Sequence, residues 1–316
     1  MSRIRCIVLA GVIALSASAM PATAASAVLE DFSSDPTQPR AGAPLFTVRG
    51  PGAAAFVHHP DAPVSFPGDR RGSLAVTYDS LAPTSRFFTT FAGGFTQDDD
   101  FVFGAVLRIR PEGFAADPQG FHPISFSLFN ASTTGDERTG DLSDFRADTY
   151  DTVEFAYFPN ISPLFGGPFL SPDAFGEQVS SDAFANFAFG TVAFELAPGV
   201  TYLIEMTHDS ATRRLTARVS SVDKDGRAVP VEGGVAVVDL SPLSGFLVNS
   251  LGISAYHDGF NIFSTSGRSL LATVDYEMLY SGLATDGRLP NSLERMLRRF
   301  RHGLAHTRGP GPIVVP

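Results

Sequence analysis

The residues best suited to ligand chemistry lie in the segment DTVEFAYFPN, residues 151–160. Its apolar positions alternate, which predicts a β-strand in which Thr152, Glu154 and Ala156 share one face of the sheet. If the strand is central, the Glu154 carboxylate faces a concave surface and can accept hydrogen bonds from ligand hydroxyls. The alternative is an ordinary half-exposed strand residue of the kind that β-sandwiches often carry.

Aromatic rings are a second candidate for ligand binding, because sugars stack an apolar face on such rings. The chain has no Trp, so this role falls to its seven Tyr or to exposed Phe. One candidate, Tyr256, is followed by the polar residues His257 and Asp258. The predicted ligand-binding residues are therefore Glu154, Asn160, Tyr157, Tyr256, His257 and Asp258.

Acidic residues cluster in the segment 130–149. Calcium takes about six to eight oxygen ligands, which such a loop can supply. The candidate ligands of a weak structural calcium ion are Asp136, Asp141, Asp144 and Asp148. A solvated acidic loop is the alternative, because the spacing matches no calcium motif. We expect no other cofactor, and no catalytic residue is predicted, because the sequence lacks G-x-S-x-G, H-E-x-x-H and P-loop motifs.

The elements that position these residues are predicted to be strands. Alternation of apolar and polar residues dominates the chain after residue 27, as in FVFGAVLRIR at 101–110, and helical periodicity is nearly absent. Clusters of Gly, Pro and Asp separate the alternating segments. The pattern predicts an all-β, two-sheet antiparallel β-sandwich or jelly roll. Residues 111–123, 130–149 and 159–187 are expected to be long loops, where sites often lie.

Several segments resemble the concanavalin A-like sandwiches. VEFAYFPN, residues 153–160, resembles the metal-binding strand of legume-type lectins through the pattern V-E-F-x-x-F-x-N. The wider pattern is similar to secreted bacterial proteins of that superfold in EDFSSDP (30–36), GSLAVTYDS (72–80), FTQDDDFVFGAVLRI (95–109) and SLLATVDYEML (269–279). The resemblance implies a concanavalin A-like jelly roll, and superfold similarity transfers architecture better than activity.

The resemblance also implies roles for single residues. Glu154 matches the metal-binding Glu of those lectins, and Asn160 matches the Asn that serves metal and sugar. Phe158 matches the position whose backbone carbonyl helps to hold calcium. Ala156 stands where those lectins have the Asp that bridges two metals, so the metal pair is not expected. The related glucanases carry acids at alternate strand positions, whereas the row of Thr152, Glu154 and Ala156 holds one, which favours a non-catalytic protein.

Residues 1–27 have the pattern of a secretory signal peptide. Arg3 and Arg5 precede an apolar stretch of about ten residues, and small residues then fit cleavage after Ala24 or Ala27. The stretch is too short to span a bilayer, although a retained anchor is the alternative. We expect a secreted, periplasmic or cell-surface protein of bacterial origin, with no transmembrane segment in its mature chain.

Charge is unevenly distributed along the chain. The chain has 33 acidic and 23 basic residues, a net charge of −10, which argues against binding to nucleic acid. The segment 284–316 is instead rich in arginine. Apolar residues recur there at helical spacing, namely Leu293, Met296, Leu297, Phe300 and Leu304. We expect a basic amphipathic helix, either in solvent or covering a sheet edge, followed by a flexible tail. An anchor for a membrane surface or an anionic polymer is the alternative.

The sequence thus predicts three regions: a signal peptide at 1–27, a β-sandwich domain at 28–283 and the basic tail at 284–316. We expect an exported, non-catalytic module that binds glycan or extracellular matrix. One alternative is a structural cell-surface protein without a small ligand. The other is a glycoside hydrolase or lyase whose acid pair the sequence does not reveal.

Overall fold

A computed structural model describes residues 28–60, 72–117, 120–131, 151–159, 167–176, 186–257 and 267–284. Within these ranges the chain forms strands and one 3-10 turn, Ala53–Ala55. The strands are β1 (Val28–Glu30), β2 (Thr47–Arg49), β3 (Phe56–His59), β4 (Ser73–Asp79), β5 (Ser85–Thr96), β6 (Phe101–Ile109), β7 (Ala115–Ala116), β8 (Ile124–Phe129), β9 (Thr152–Phe158), β10 (Phe169–Phe175), β11 (Phe187–Phe189), β12 (Val192–Ala193), β13 (Thr201–Asp209), β14 (Arg214–Val222), β15 (Ala228–Asp239), β16 (Leu247–Ala255) and β17 (Leu270–Leu283).

The strands form two antiparallel sheets. Sheet A has the order β15-β14-β13-β6-β17-β4-β3, with β1 and β7 also paired to β17. Sheet B has the order β11-β10-β9-β8-β16-β5-β2, with β12 also paired to β10. The predicted all-β, two-sheet antiparallel sandwich is therefore confirmed. In the described ranges, no helix has the length and apolar character needed to cross a membrane.

Side-chain alternation builds the core between the sheets. In β6, Phe101, Phe103 and Leu107 are fully buried in the main apolar cluster, as the alternating sequence predicts. In β9 the core-facing residues are Val153 and Phe155, together with Tyr157. Because neighbouring side chains of a strand point to opposite faces, the residues between them point away from the core, to what we call the outer face of each sheet.

Buried tyrosines of sheet A link that sheet to β8 of sheet B. The Tyr78 hydroxyl of sheet A donates to the backbone carbonyl of Ser125 in sheet B at 3.0 Å. The hydroxyls of Tyr78 and Tyr276 are 2.7 Å apart. Burial raises the pKa of both phenols, so both stay neutral. These contacts fix the start of β8 relative to sheet A.

The segment 159–187, expected as one long loop, was predicted wrongly in part, because it contains β10. Pro172 in the middle of this strand lacks a backbone N–H, which argues against an interior strand in the sequence. Its carbonyl still accepts a hydrogen bond from the Gly190 N–H at 3.0 Å. β10 therefore lies between β9 and β11 as a full member of sheet B.

Candidate functional site

A row of four residues crosses the outer face of sheet B. Ser127, Glu154, Asp173 and Phe189 are successive Cα partners across β8, β9, β10 and β11. Directly opposite residues of antiparallel strands share a face, with Cβ atoms about 4.5–5.5 Å apart. The pairing therefore brings two carboxylates and an aromatic ring side by side. We call these four residues the Glu154 row.

The Glu154 row opens to solvent at one end. Glu154 is 5% exposed and Asp173 is 8% exposed. Phe189 lies on β11, at the end of the strand order of sheet B, and is 54% exposed. The ring of Phe189 stacks on Phe187 with centroids 5.2 Å apart, and Phe187 stacks on Phe175 at 4.2 Å. A three-ring ladder thus holds the exposed ring in place beside the carboxylates.

Tyr256 holds Glu154. Its hydroxyl donates a 2.7 Å hydrogen bond to Oε2 of Glu154, from the end of β16. Such a bond to a carboxylate is charge-assisted and therefore strong. The backbone at this point is fixed in turn, because the N–H of His257 donates to Oγ1 of Thr84 at 2.7 Å. Tyr256 thus fixes the Glu154 carboxylate in a buried position. The alternative that Glu154 is a half-exposed strand residue is wrong.

Buried hydroxyls line the floor next to Glu154. Ser127 is the Cα partner of Glu154, and Ser125 is the partner of the neighbouring Ala156. Both serines are fully buried, and neither Oγ has a hydrogen-bond partner within the described part of the chain. Buried polar atoms are normally bonded, and leaving one unpaired costs about 1–3 kcal/mol. These hydroxyls therefore have unused hydrogen-bonding capacity, although they are not exposed to solvent.

A buried arginine lies on the other side of the serine floor. Nε of Arg86 donates to Oγ of Ser254 at 3.0 Å, and the guanidinium carbon lies 4.1 Å above the ring of Phe129. Phe129 also packs edge-on against Phe88 at 5.5 Å. Gly252 makes this packing fit, because a Cβ there would lie 2.7 Å from Cβ of Phe88. The outer face of sheet B thus carries buried groups of both charge signs.

His122 lies near His257 in the folded chain. The ring of His122 is fully buried, and neither nitrogen has a hydrogen-bond partner among the described residues. Burial, and then the nearby His257, lower the pKa of His122 to about 3. His122 is therefore a neutral imidazole at physiological pH.

The structure separates Tyr157 from the other predicted site residues. Tyr157 belongs to the core between the sheets, where its hydroxyl accepts a hydrogen bond from the Leu196 N–H at 3.1 Å. Burial raises the pKa of its phenol. Its ring faces away from Glu154, so the prediction that Tyr157 belongs to the same ligand site is wrong. The structure does bring Tyr256 to Glu154, with His257 adjacent in the chain.

Several predicted residues lie outside the described ranges. These are Asn160, Asp258 and the calcium candidates Asp136, Asp141, Asp144 and Asp148. In the ranges that the structure describes, no three His, Cys, Asp or Glu side chains come together as a metal site. Ala156, which the resemblance aligns with the bridging Asp of legume-type lectins, has Ser125 and Ser171 as its Cα partners. Neither neighbour replaces the missing carboxylate.

Asp173 and Phe189 were missed by sequence reasoning, although a signal for Asp173 exists. In FLSPDAF, residues 169–175, the alternate positions Phe169, Ser171, Asp173 and Phe175 share a face once the segment is taken as a strand. For Phe189, the segment FAF is too short to distinguish an edge strand from a loop.

No protein-family model matches this chain, and a search of curated proteins finds no match. Among solved structures, the chain is similar to the carbohydrate recognition domain of Emp47p, at 12% identity and a TM-score of 0.43, over 76% of this chain and 89% of that one. It is similar to lectin I from Ulex europaeus at 12% identity and a TM-score of 0.44, over 82% of this chain and 98% of the lectin. It is also similar to the exoplasmic/lumenal domain of VIP36, at 10% identity and a TM-score of 0.46, over 83% of this chain and 93% of that one. These likenesses concern the fold alone.

Proposed function

We propose that this protein is an exported module that binds glycan at the Glu154 row. The observation that carries the proposal is that an exposed ring, Phe189, lies in register beside two buried carboxylates, Glu154 and Asp173. Sugar rings present one apolar face and a rim of hydroxyls. An aromatic ring next to acceptor groups complements both of these features.

Each part of the row has a separate task in binding. The Phe189 ring stacks on the apolar face of a sugar at the edge of the sheet. The carboxylate of Asp173 accepts hydrogen bonds from sugar hydroxyls, each worth about 1.5–3 kcal/mol when the donor is bonded to a charged group. Glu154, held by Tyr256, is a second acceptor one strand further in. The serine hydroxyls beyond it can both donate and accept.

Export is the second part of the proposal. The charged start, short apolar stretch and small residues of 1–27 support cleavage and secretion. An exported sandwich would meet polysaccharides or extracellular matrix. The acidic body favours neutral or basic glycans over acidic ones, because like charges repel. We therefore propose neutral polysaccharide as the first ligand class to test.

The direct test is a glycan array probed with the exported chain and with Phe189→Ala. We expect binding to neutral glycans that falls at least about tenfold in the variant, because the stacking surface is lost. Leu81→Ala is the matched control, since Leu81 is also an exposed apolar residue at 48%. The absence of glycan binding, or equal losses in the two variants, would favour a structural surface protein without a small ligand.

A second candidate function is glycoside hydrolysis, which the facing pair of Glu154 and Asp173 favours. Retaining hydrolases need two carboxyl groups about 5–5.5 Å apart, and directly opposite residues have Cβ atoms at a similar separation. The Asp173 carboxyl would protonate the leaving glycosidic oxygen while Glu154 forms an ester bond to the anomeric carbon. Water would then attack that carbon, give its proton to Asp173 and release Glu154.

Binding and hydrolysis are separable with the same variants. If the protein only binds, the wild type releases no reducing sugar from a panel of polysaccharides. If it hydrolyses, both Glu154→Gln and Asp173→Asn abolish release while binding persists, since both amides keep an acceptor oxygen. Sugar release that survives in both variants would assign the activity to other residues.

A further inference from the structure

The outer face of sheet A carries a buried apolar patch. Its members lie on the three central strands β6, β13 and β17. We define the sheet A patch as Val102, Val106, Leu203, Met278 and Tyr280. None of these side chains is more than 4% exposed, although they point away from the core between the sheets.

The described apolar neighbours of the patch lie beside it in the same sheet. Leu29, Val222 and Ala228 pack against it and belong to β1, β14 and β15, which are strands of the same sheet. A side chain on the outer face of a sheet loses its exposure only when other atoms lie above it. Burial of the whole patch therefore calls for a covering segment.

Tyr280 shows that the patch is shaped to be covered. Its hydroxyl donates to Oε2 of Glu205 at 3.2 Å, so the ring lies across β6. Gly104 permits this position, because a Cβ there would lie 2.5 Å from the Tyr280 hydroxyl. The ring is fully buried and lies against Gly104, which stands between Val102 and Val106 on β6.

We infer that residues 291–304 of this chain cover the sheet A patch. The chain leaves β17 at Leu283, whose Cα partner Phe101 precedes the patch residue Val102. The six residues 285–290 reach up to about 20 Å, which is ample from that point. As a helix, residues 291–304 would be about 21 Å long, whereas the patch measures about 13 Å along β6 and about 10 Å across the three strands.

The chemistry of this segment complements the patch. Its apolar residues recur at helical spacing and would form one stripe, Leu293, Met296, Leu297, Phe300 and Leu304. Its arginines carry the charge opposite to that of the two acids next to the patch, Glu205 and Glu277.

Chain connectivity favours this segment over the others outside the described ranges. Residues 132–150, 160–166 and 177–185 connect strands of sheet B. Residues 258–266 enter β17 at its opposite end, and residues 61–71 connect β3 and β4 at the far side of sheet A. Residues 1–27 are predicted to be removed on export. The tail remains beside the patch.

Methionine oxidation tests the cover in the full exported chain. Met278 lies in the patch and Met206 lies in the core, and both are fully buried. We expect Leu297→Glu/Phe300→Glu to raise the rate at which peroxide oxidises Met278 by about tenfold or more, while Met206 stays protected. Asn291→Asp/His302→Glu adds equal charge on the opposite side of the same helix and should leave both rates unchanged.

Three results would overturn the inference. The first is protection of Met278 in the stripe variant equal to that in the wild type. The second is protection that depends on protein concentration, which would mean that a second copy covers the patch. Oxidation of Met206 as well would indicate that the variant Leu297→Glu/Phe300→Glu is unfolded. In that case the test is the double variant Leu203→Cys/Phe300→Cys, in which these are the only two cysteines after residue 27. The inference requires that these two cysteines form a disulfide within the monomer. Failure to form that disulfide would overturn the inference.

Discussion

Asp173 lies directly opposite Glu154 in the pairing of β10 with β9, and both carboxylates point to the outer face of sheet B. Like charges at directly opposite positions destabilise a sheet, so such a pair needs a reason to be present. Tyr256 donates a hydrogen bond to Glu154, and the neighbouring Ser127 hydroxyl has no hydrogen-bond partner among the described residues. Strand register therefore places two acidic side chains next to the exposed ring of Phe189, which is the arrangement proposed for sugar binding.

The hydrogen bond between Tyr256 and Glu154 can be measured as a coupling energy. We expect Tyr256→Phe to lower the free energy of unfolding by about 1–3 kcal/mol, because a buried carboxylate loses a donor. In Glu154→Gln the same Tyr256→Phe change should cost about half as much, since a neutral acceptor bonds less strongly. Urea unfolding of the four proteins of this double-mutant cycle gives the coupling. A coupling near zero would contradict the charge-assisted bond.

The serine hydroxyls are expected to serve ligand binding and not stability. Ser127→Ala removes a buried hydroxyl that has no partner among the described residues, so unfolding free energy should stay level or rise by about 1 kcal/mol. Affinity for a bound glycan should fall about threefold to tenfold. Ser254→Ala is the control, because its hydroxyl accepts from Arg86 and its loss should destabilise the protein by about 1.5–3 kcal/mol. A destabilised Ser127→Ala protein would show that this hydroxyl is bonded.

His122 should make the protein sensitive to acid. Its pKa is lowered from 6.5 to about 3 in the folded chain, so the unfolded chain binds the proton more readily. The stabilising contribution is therefore present above pH 6.5 and is lost as the pH falls towards 3. Between pH 7 and pH 5, we expect the wild type to lose about 2 kcal/mol more unfolding free energy than His122→Gln.

The control for this pH effect is His59→Gln, at a partly exposed histidine. That variant should follow the wild type across the same pH range. If His122→Gln loses as much stability as the wild type between pH 7 and pH 5, the buried neutral histidine is not the cause.

Export should leave a defined N-terminus. We expect mass spectrometry of the protein from its native exported fraction to show a chain that begins at Ala25 or Val28, because small residues precede both positions. A chain that retains Met1 would contradict both the signal peptide and the proposed location.

The sequence alone predicted the sandwich, because burial of one sheet face imposes a two-residue period that survives in segments such as FVFGAVLRI. It also placed Glu154 on one face of its strand with Thr152 and Ala156, since that follows from alternation along the strand. Alternation is local, which is why these predictions needed no knowledge of the rest of the fold.

Only the tertiary structure decided which residues stand beside Glu154. Asp173 and Phe189 are 19 and 35 positions away in the chain, and strand order and register bring them into one row. Register depends on long-range pairing and on packing of both sheet faces, which no single segment encodes. Tyr157 was a candidate because its residue type suits a sugar site. Its side chain instead belongs to the core between the sheets. The chain sequence thus determines the faces of each strand, and the assembled sheet determines the site.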